Sequence, residues 1–166
     1  MEISSPRLVL APLSADDTEA LHRLWTSEPV RRFLWDDEVI PLATTRDLIE
    51  ENEQRFAELG HGLWGLRRRD DAELIGFAGF WPFHEPPVLE LIFGLAADHW
   101  GQGFAFEAAT RVIRHGFEAL AFERIAASTD VGNRPSQKLL DRLGMVRRRQ
   151  AVVAGLDTLF YELERG

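Results

Sequence analysis

A glycine-bearing turn between an apolar strand and an amphipathic helix constrains this chain more than any other feature. Residues 88–95 (VLELIFGL) predict a buried strand, residues 96–104 (AADHWGQGF) a tight connection, and residues 105–120 a helix with apolar side chains at helical spacing. Glycines let a backbone approach a ligand closely, and the first helical turn presents N–H groups without partners in the helix. The stretch therefore predicts either an anion site, with phosphate the expected anion, or an ordinary structural turn.

The other strands predicted from the sequence favour an α+β fold with a mixed, mostly antiparallel sheet. Residues 7–12 alternate as a first strand, and residues 62–68 and 73–83 predict a hairpin that the 88–95 strand extends. A helix separates the 88–95 strand from a short strand at 124–129. These two strands are therefore expected to run parallel through a right-handed crossover.

Two helices are predicted ahead of most of the strands. Ser14 begins the first helix, and Pro29 ends or separates it. Thr44 or Thr45 is expected to cap the second helix, which Gly60 closes.

The C-terminal part of the chain predicts one more helix and a closing hairpin. Asn133 or a neighbour caps the helix, and Gly144 follows its end. Residues 145–153 and 158–164 form the two hairpin strands around Gly155. With 166 residues and no linker or repeat, the expected organisation is a single domain over residues 1–166.

Composition excludes several classes of function. The absence of cysteine excludes disulfides, thiolate metal ligands and an acyl-cysteine intermediate. A net charge of -8 argues against a nucleic-acid partner and mildly favours cationic substrates. The five histidines share no ligand spacing, so no metal is expected. Without a membrane-length apolar run or a signal-like N-terminus, the expected location is cytoplasmic, with no membrane partner.

Two familiar phosphate motifs fit the turn poorly. A P-loop requires Gly-Lys-Ser/Thr after four residues, and no such lysine follows here. A dinucleotide fingerprint is better matched by Gly101, Gly103 and the later Asp130. However, Phe106 occupies its third glycine position, and the preceding segments form a meander instead of βα units.

The residues Trp100-Gly101-Gln102-Gly103-Phe104-Ala105 resemble the Gln/Arg-x-x-Gly-x-Gly/Ala loop of the GNAT superfamily of N-acetyltransferases. They have the form found in its ribosomal-protein N-terminal acetyltransferase branch, which Glu107 and Ala108 continue. Residues 133–136 (NRPS) and 143–145 (LGM) extend the similarity, which covers nearly the whole chain. In a departure from the family pattern, Leu140 stands where many members carry a tyrosine that protonates the leaving thiolate.

The resemblance implies a GNAT fold, in which a central β-loop-α unit holds acetyl-CoA between splayed parallel strands. It also implies an amine acceptor and, from the family's frequent dimers, a homodimer. The residues that it assigns to acetyl-CoA are Phe93, Gly94, Leu95, Trp100, Gly101, Gln102, Gly103, Phe104, Ala105, Phe106 and Asn133.

Transfer is expected by direct attack of the amine on the thioester, since no cysteine or Gly-x-Ser-x-Gly elbow offers a covalent intermediate. Glu90 is the candidate base, because it is the one acid in the apolar strand, although alternation would equally turn it to solvent. Ser136 is either a helix cap or, as the resemblance implies, the group that protonates the thiolate. Asn133 is expected to cap the helix and to bond the cofactor arm.

The acceptor is the least determined part of the prediction. Trp35, Trp81 and Phe83 either line an acceptor pocket or belong to the core, and His84 either reaches the substrate or lies in a solvated loop. A protein N-terminal α-amino group is the first expectation, because the branch resembled acts on such groups. Small amines and a catalytically silent acyl-CoA-binding module are the alternatives.

Overall fold

The computed structural model describes residues 1–166 and contains one eight-stranded sheet with helices on both faces. The strands are β1 (Ile3–Ser4), β2 (Leu8–Pro12), β3 (Leu63–Arg68), β4 (Gly76–Phe83), β5 (Val88–Leu95), β6 (Arg124–Asp130), β7 (Val146–Val153) and β8 (Leu156–Glu164). Their order in the sheet is β1-β2-β3-β4-β5-β6-β8-β7. Every neighbouring pair is antiparallel except β5 and β6, so the predicted mixed, mostly antiparallel α+β sheet is confirmed.

The five helices cover the two faces of this sheet. They are α1 (Thr18–Thr26), α2 (Glu28–Leu34), α3 (Leu42–Leu59), α4 (Phe104–Glu118) and α5 (Arg134–Arg142). One face packs against α4 and α5, where Val112 and Leu140 are fully buried. The other face packs against α1, α2 and α3 through residues such as Leu21 and Ile49. Apolar side chains at helical spacing account for both layers, because burying them is the main favourable term in folding.

The parallel strands β5 and β6 separate soon after they meet. Their ladder has a single register position, Glu90 opposite Ala126, whereas β4 and β5 pair along their full length. The sheet therefore opens into a gap between the C-terminal halves of β5 and β6, as the resemblance implied.

The N-terminal helices differ from the sequence prediction. Three α-helices precede β3, not two, because Pro29 lies in the first turn of α2 instead of only ending α1. The third helix begins at Leu42 after Pro41, so neither Thr44 nor Thr45 is its cap. Thr45 is fully buried, and its hydroxyl lies 2.8 Å from Nδ1 of His22 on α1.

The predicted helix ends are confirmed where glycine adopts a left-handed backbone. Gly60 closes α3 with φ of 75°, and Gly144 follows α5 with φ of 81°. No helix combines the length and the apolar composition that a bilayer crossing requires.

Candidate acyl-CoA site

The turn between β5 and α4 presents a row of unused hydrogen-bond donors. Gly101 and Gly103 have φ of 75° and 82°, a left-handed conformation that L side chains rarely adopt. None of the backbone N–H groups from Gly101 to Phe106 donates a hydrogen bond within the protein, and the helical ladder starts with the N–H of Glu107. A Cβ added to Gly101 would meet no atom within 4 Å, so the space beside the turn is open. Free N–H groups at the positive end of a helix favour an anion.

An arginine in the bend between β1 and β2 holds this turn in place. The Arg7 guanidinium donates 2.8 Å to the Gln102 carbonyl and lies 4.4 Å from the centre of the Phe104 ring. Arg7 also pairs with Glu107 at 2.6 Å, and the Arg7 N–H and the Ser5 hydroxyl donate to the same carboxylate. Burial disfavours the Glu107 charge, but these hydrogen bonds and the Arg7 charge outweigh it and lower the pKa of that carboxyl.

Sequence reasoning did not find the contact between Arg7 and the turn. Arg7 and Glu107 are 100 positions apart in the sequence, and no local pattern indicates that they pair. The resemblance did include Glu107 in the family motif, and this was the one available signal.

The edge of β5 beside the gap offers a second set of free backbone groups. The Ala96 N–H donates to the Ile75 carbonyl, so backbone groups at even-numbered positions of β5 bond β4 and those at odd-numbered positions point toward β6. Since β6 pairs with β5 only at Glu90, the N–H and C=O of Phe93 and the N–H of Leu95 face the gap. These groups can pair with an extended polar ligand as a further strand would.

Trp100 and Gly94, which the resemblance assigns to acetyl-CoA, also stabilise the fold around the turn. The Trp100 indole N–H donates 2.8 Å to the Leu95 carbonyl, which ties the turn to the end of β5, while its ring stays 54% exposed. Gly94 turns its backbone toward β4, and a Cβ there would lie 2.4 Å from the Phe77 ring. Close packing explains this glycine by itself.

Asn133 and Ser136 lie at the start of α5, next to the end of β6. The Asn133 side-chain oxygen accepts the Ser136 N–H at 3.3 Å, so the predicted cap is confirmed. The Ser136 hydroxyl makes no hydrogen bond within the protein and is partly exposed. Leu140, one turn later, is 1% exposed in the core, so it brings no polar group to the site.

Of the two alternatives for Glu90, the one that turns it to solvent is wrong. Glu90 is 3% exposed, and its carboxylate accepts the Ser128 hydroxyl at 2.7 Å and lies 3.1 Å from Nε2 of His84. His84 lies in the turn after β4 and is half-buried, since its ring packs 5.2 Å from that of Phe160 while part of its side chain stays exposed. Ser128 and Phe160 were missed because they come from β6 and β8, far along the chain.

The aromatic residues proposed for an acceptor pocket lie on the sheet face covered by α1, α2 and α3. Trp81 is the register partner of Glu90 and therefore shares its face, beneath the guanidinium of Arg55 at 4.8 Å. Trp35 packs edge-on against Trp25 at 5.5 Å and joins the core of this layer. Phe83 lies beside His84, with ring centres 6.4 Å apart.

A family model described as an acetyltransferase (GNAT) domain matches residues 7–146, which is most of the chain. The chain belongs to the GNAT acetyltransferases. It is 29% identical over 143 residues to the uncharacterized N-acetyltransferase YoaA of Bacillus subtilis (strain 168), covering 86% of this chain and 81% of the relative.

Solved structures share the GNAT fold over nearly the whole chain. The acetyltransferase from Agrobacterium tumefaciens str. C58 is similar with a TM-score of 0.85 and 23% identity, covering 99% of this chain and 95% of that one. The ribosomal L7/L12 α-N-protein acetyltransferase RimL, solved with coenzyme A, is similar with a TM-score of 0.83 and 18% identity, covering 99% and 98%.

The residues of this GNAT acetyltransferase fit the co-substrate of its family. Acetyl-CoA carries a pyrophosphate, and the turn offers free N–H groups beside open space. It also carries an amide-containing arm, and the odd-numbered positions of β5 offer unpaired donors and acceptors at the gap. The chain is therefore an N-acetyltransferase that uses acetyl-CoA.

Proposed function

We propose that this enzyme acetylates an N-terminal α-amino group of a protein or peptide, by direct attack of the amine in a ternary complex. The observation that carries the co-substrate half of the proposal is the continuity of two polar edges: the unused N–H groups of the turn lead directly into the unpaired edge of β5. Such an arrangement suits a long ligand with an anion at one end and amides along its length.

In this proposal the turn holds the pyrophosphate and β5 aligns the arm. The N–H groups from Gly101 to Phe106 receive the phosphate oxygens, and the groups of Phe93 and Leu95 pair with the amides. Asn133 contributes a further hydrogen bond from the opposite side of the gap. The thioester then lies between β5 and β6, close to Glu90 and Ser136.

The chemistry needs two proton transfers around one bond exchange. The substrate ammonium loses one proton to become a nucleophile, the C–N bond forms as the C–S bond breaks, and the nitrogen loses a second proton. One proton ends on the sulfur of coenzyme A and the other is released. We assign to the free hydroxyl of Ser136 the donation of a proton to the thiolate. A base beside the Glu90 carboxylate accepts the proton of the amine.

The choice of an α-amino group follows from the chemistry of amines. An α-amino group titrates near ~8 and a lysine amine near ~10.4, so an α-amino group is more often neutral at physiological pH. The negative net charge of the chain attracts cationic peptides. The similarity in fold to RimL supports the same choice.

The proposal is tested by measuring release of coenzyme A from acetyl-CoA with a panel of amines. Peptides with free N-termini should release it, whereas the same peptides blocked at the α-amino group and carrying a free lysine should not. Turnover of small amines alone would overturn the choice of acceptor. Tight acetyl-CoA binding without release by any amine would show a silent binding module.

A further inference from the structure

Three side chains from different strands meet at the closed end of the gap between β5 and β6. His84 follows the last residue of β4, Glu90 lies on β5 and Ser128 lies on β6. The Ser128 hydroxyl donates to Oε1 of Glu90 at 2.7 Å, and Nε2 of His84 lies 3.1 Å from Oε2. Both oxygens of the carboxylate therefore have a partner within the protein, and with its side chain only 4% exposed Glu90 is poorly placed to meet the amine directly.

The carboxylate selects one tautomer of the imidazole. Because Nε2 lies within hydrogen-bond distance of Oε2 of Glu90 and 3.3 Å from Oγ of Ser128, that nitrogen carries the hydrogen. The lone pair then resides on Nδ1, which receives no hydrogen bond from the protein. The His84 side chain is 20% exposed and that of Glu90 is 4% exposed, so the histidine is the member of the pair that solvent or substrate can reach.

The backbone and the neighbouring rings fix this orientation. His84 has φ of 73°, a left-handed conformation that costs energy for a residue with a Cβ and that is often found at functional sites. The Phe160 ring lies 5.2 Å from the imidazole and carries the Arg149 guanidinium at 3.8 Å. The charged side chains that these contacts bring to the imidazole are Glu90, in direct contact, and Arg149, stacked on Phe160.

We propose that Nδ1 of His84 is the proton acceptor for the attacking amine, and that Glu90 and Ser128 are positioning residues that act through it. This inference rests on the proposed function. It changes the role predicted for Glu90 from base to orienting carboxylate. In the reaction the amine proton moves to Nδ1, the imidazolium is stabilised by Glu90, and the proton then leaves to solvent.

The test compares wild type, His84→Gln and Glu90→Gln with the acceptor that the amine panel identifies, measuring kcat, KM and the pH profile. His84→Gln should lower kcat by about 10²-fold or more, because general-base catalysis contributes that much, and should remove the fall of kcat at acid pH, leaving in kcat/KM the fall that protonation of the free amine imposes. Glu90→Gln should keep the fall of kcat but move it to lower pH, since the imidazolium loses its carboxylate. The acetyl-CoA dissociation constant should stay unchanged in both variants.

His22→Gln serves as the matched control, because His22 contacts Thr45 on the helical layer and does not touch the cluster. It should retain wild-type kcat and pH profile. A His84→Gln variant with unchanged kcat and an intact acid limb would overturn the proposal. If only small amines release coenzyme A, the proposed acceptor is wrong, but the same variants still test the role of His84 with those amines.

The tautomer gives a readout that does not depend on activity. Nitrogen chemical shifts of the His84 ring should show a hydrogen on Nε2 and none on Nδ1 in the wild type. In Glu90→Gln the two tautomers should become mixed. A wild-type ring with its hydrogen on Nδ1 would contradict the proposed acceptor.

Discussion

At the scale of single residues, the site depends on side chains whose partners come from other strands. The sequence predicted that Glu90 and Ser136 matter, but it left open whether each was structural. Glu90 is 3% exposed, so its side chain does not point into solvent. His84 and Ser128 lie within hydrogen-bond distance of its carboxylate and explain how this group is tolerated in a buried position. The sequence named His84 as a possible substrate contact but could not pair it, or Ser128, with Glu90, because the three residues meet only after three strands have assembled.

Ser136 offers a test at this scale. Its N–H bonds the Asn133 side chain, and this cap survives Ser136→Ala because it uses only the backbone of Ser136. We therefore expect the variant to fold normally and to bind acetyl-CoA as the wild type does. Its kcat should fall by about 10²-fold, the usual size of a lost general acid. Steady-state kinetics with calorimetry of acetyl-CoA binding would check this, and an unchanged kcat would remove Ser136 from the mechanism.

At the scale of elements, the central strand was predicted with its observed bounds and the N-terminal helices were not. Residues 88–95 form β5 as predicted, because an apolar run interrupted only by Glu90 and flanked by prolines and a glycine turn has few alternatives. Pro29 was taken to end or separate a helix, although proline also suits a first turn, where its missing N–H costs nothing. A proline marks a helix boundary, but the local sequence does not show whether a helix ends before it or begins with it.

The layer between α4 and the sheet predicts how stability depends on pH. Burial is the main cause that lowers the pKa of His115 and of His61, with further lowering by the nearby charges of Arg111 and Arg55 respectively. Each histidine also has a ring nitrogen that is buried without a partner. The unfolded chain therefore binds protons more readily than the folded one, so stability is lost as pH falls below about 6.5.

Urea unfolding at pH 7.5 and 5.5 measures this effect. The free energy of unfolding of the wild type should be smaller at pH 5.5. Replacing His115 with glutamine should shrink the difference between the two pH values, because the amide cannot take up a proton. The lowered pKa of Glu107 affects the free energy of unfolding only below its ordinary value near 4.5, outside the range between the two pH values. Equal stability of the wild type at both pH values would contradict the prediction.

At the scale of the whole molecule, the proposed mechanism assigns the two substrates to the two helical layers. The layer of α4 and α5 brings the turn and Ser136 to one side of the gap, whereas the layer of α1, α2 and α3 covers the face that carries Trp81 and Glu90. The sequence indicated the order of these elements and, through the resemblance, the gap. It did not indicate that Arg7 would join the first strands to the turn, because that pairing exists only in the assembled sheet.

The most direct test is calorimetric titration of acetyl-CoA into the wild type, Gly103→Val and the control Gly155→Val. Gly103 and Gly155 share φ of 82°, so both variants suffer the same backbone strain, but only Gly103 lies in the turn. A Cβ at Gly103 would also lie 3.3 Å from the Arg7 guanidinium. We expect the dissociation constant to rise at least about tenfold in Gly103→Val, equivalent to about 1.4 kcal/mol, and to stay unchanged in Gly155→Val. An unchanged dissociation constant in a folded Gly103→Val variant would show that acetyl-CoA binds elsewhere.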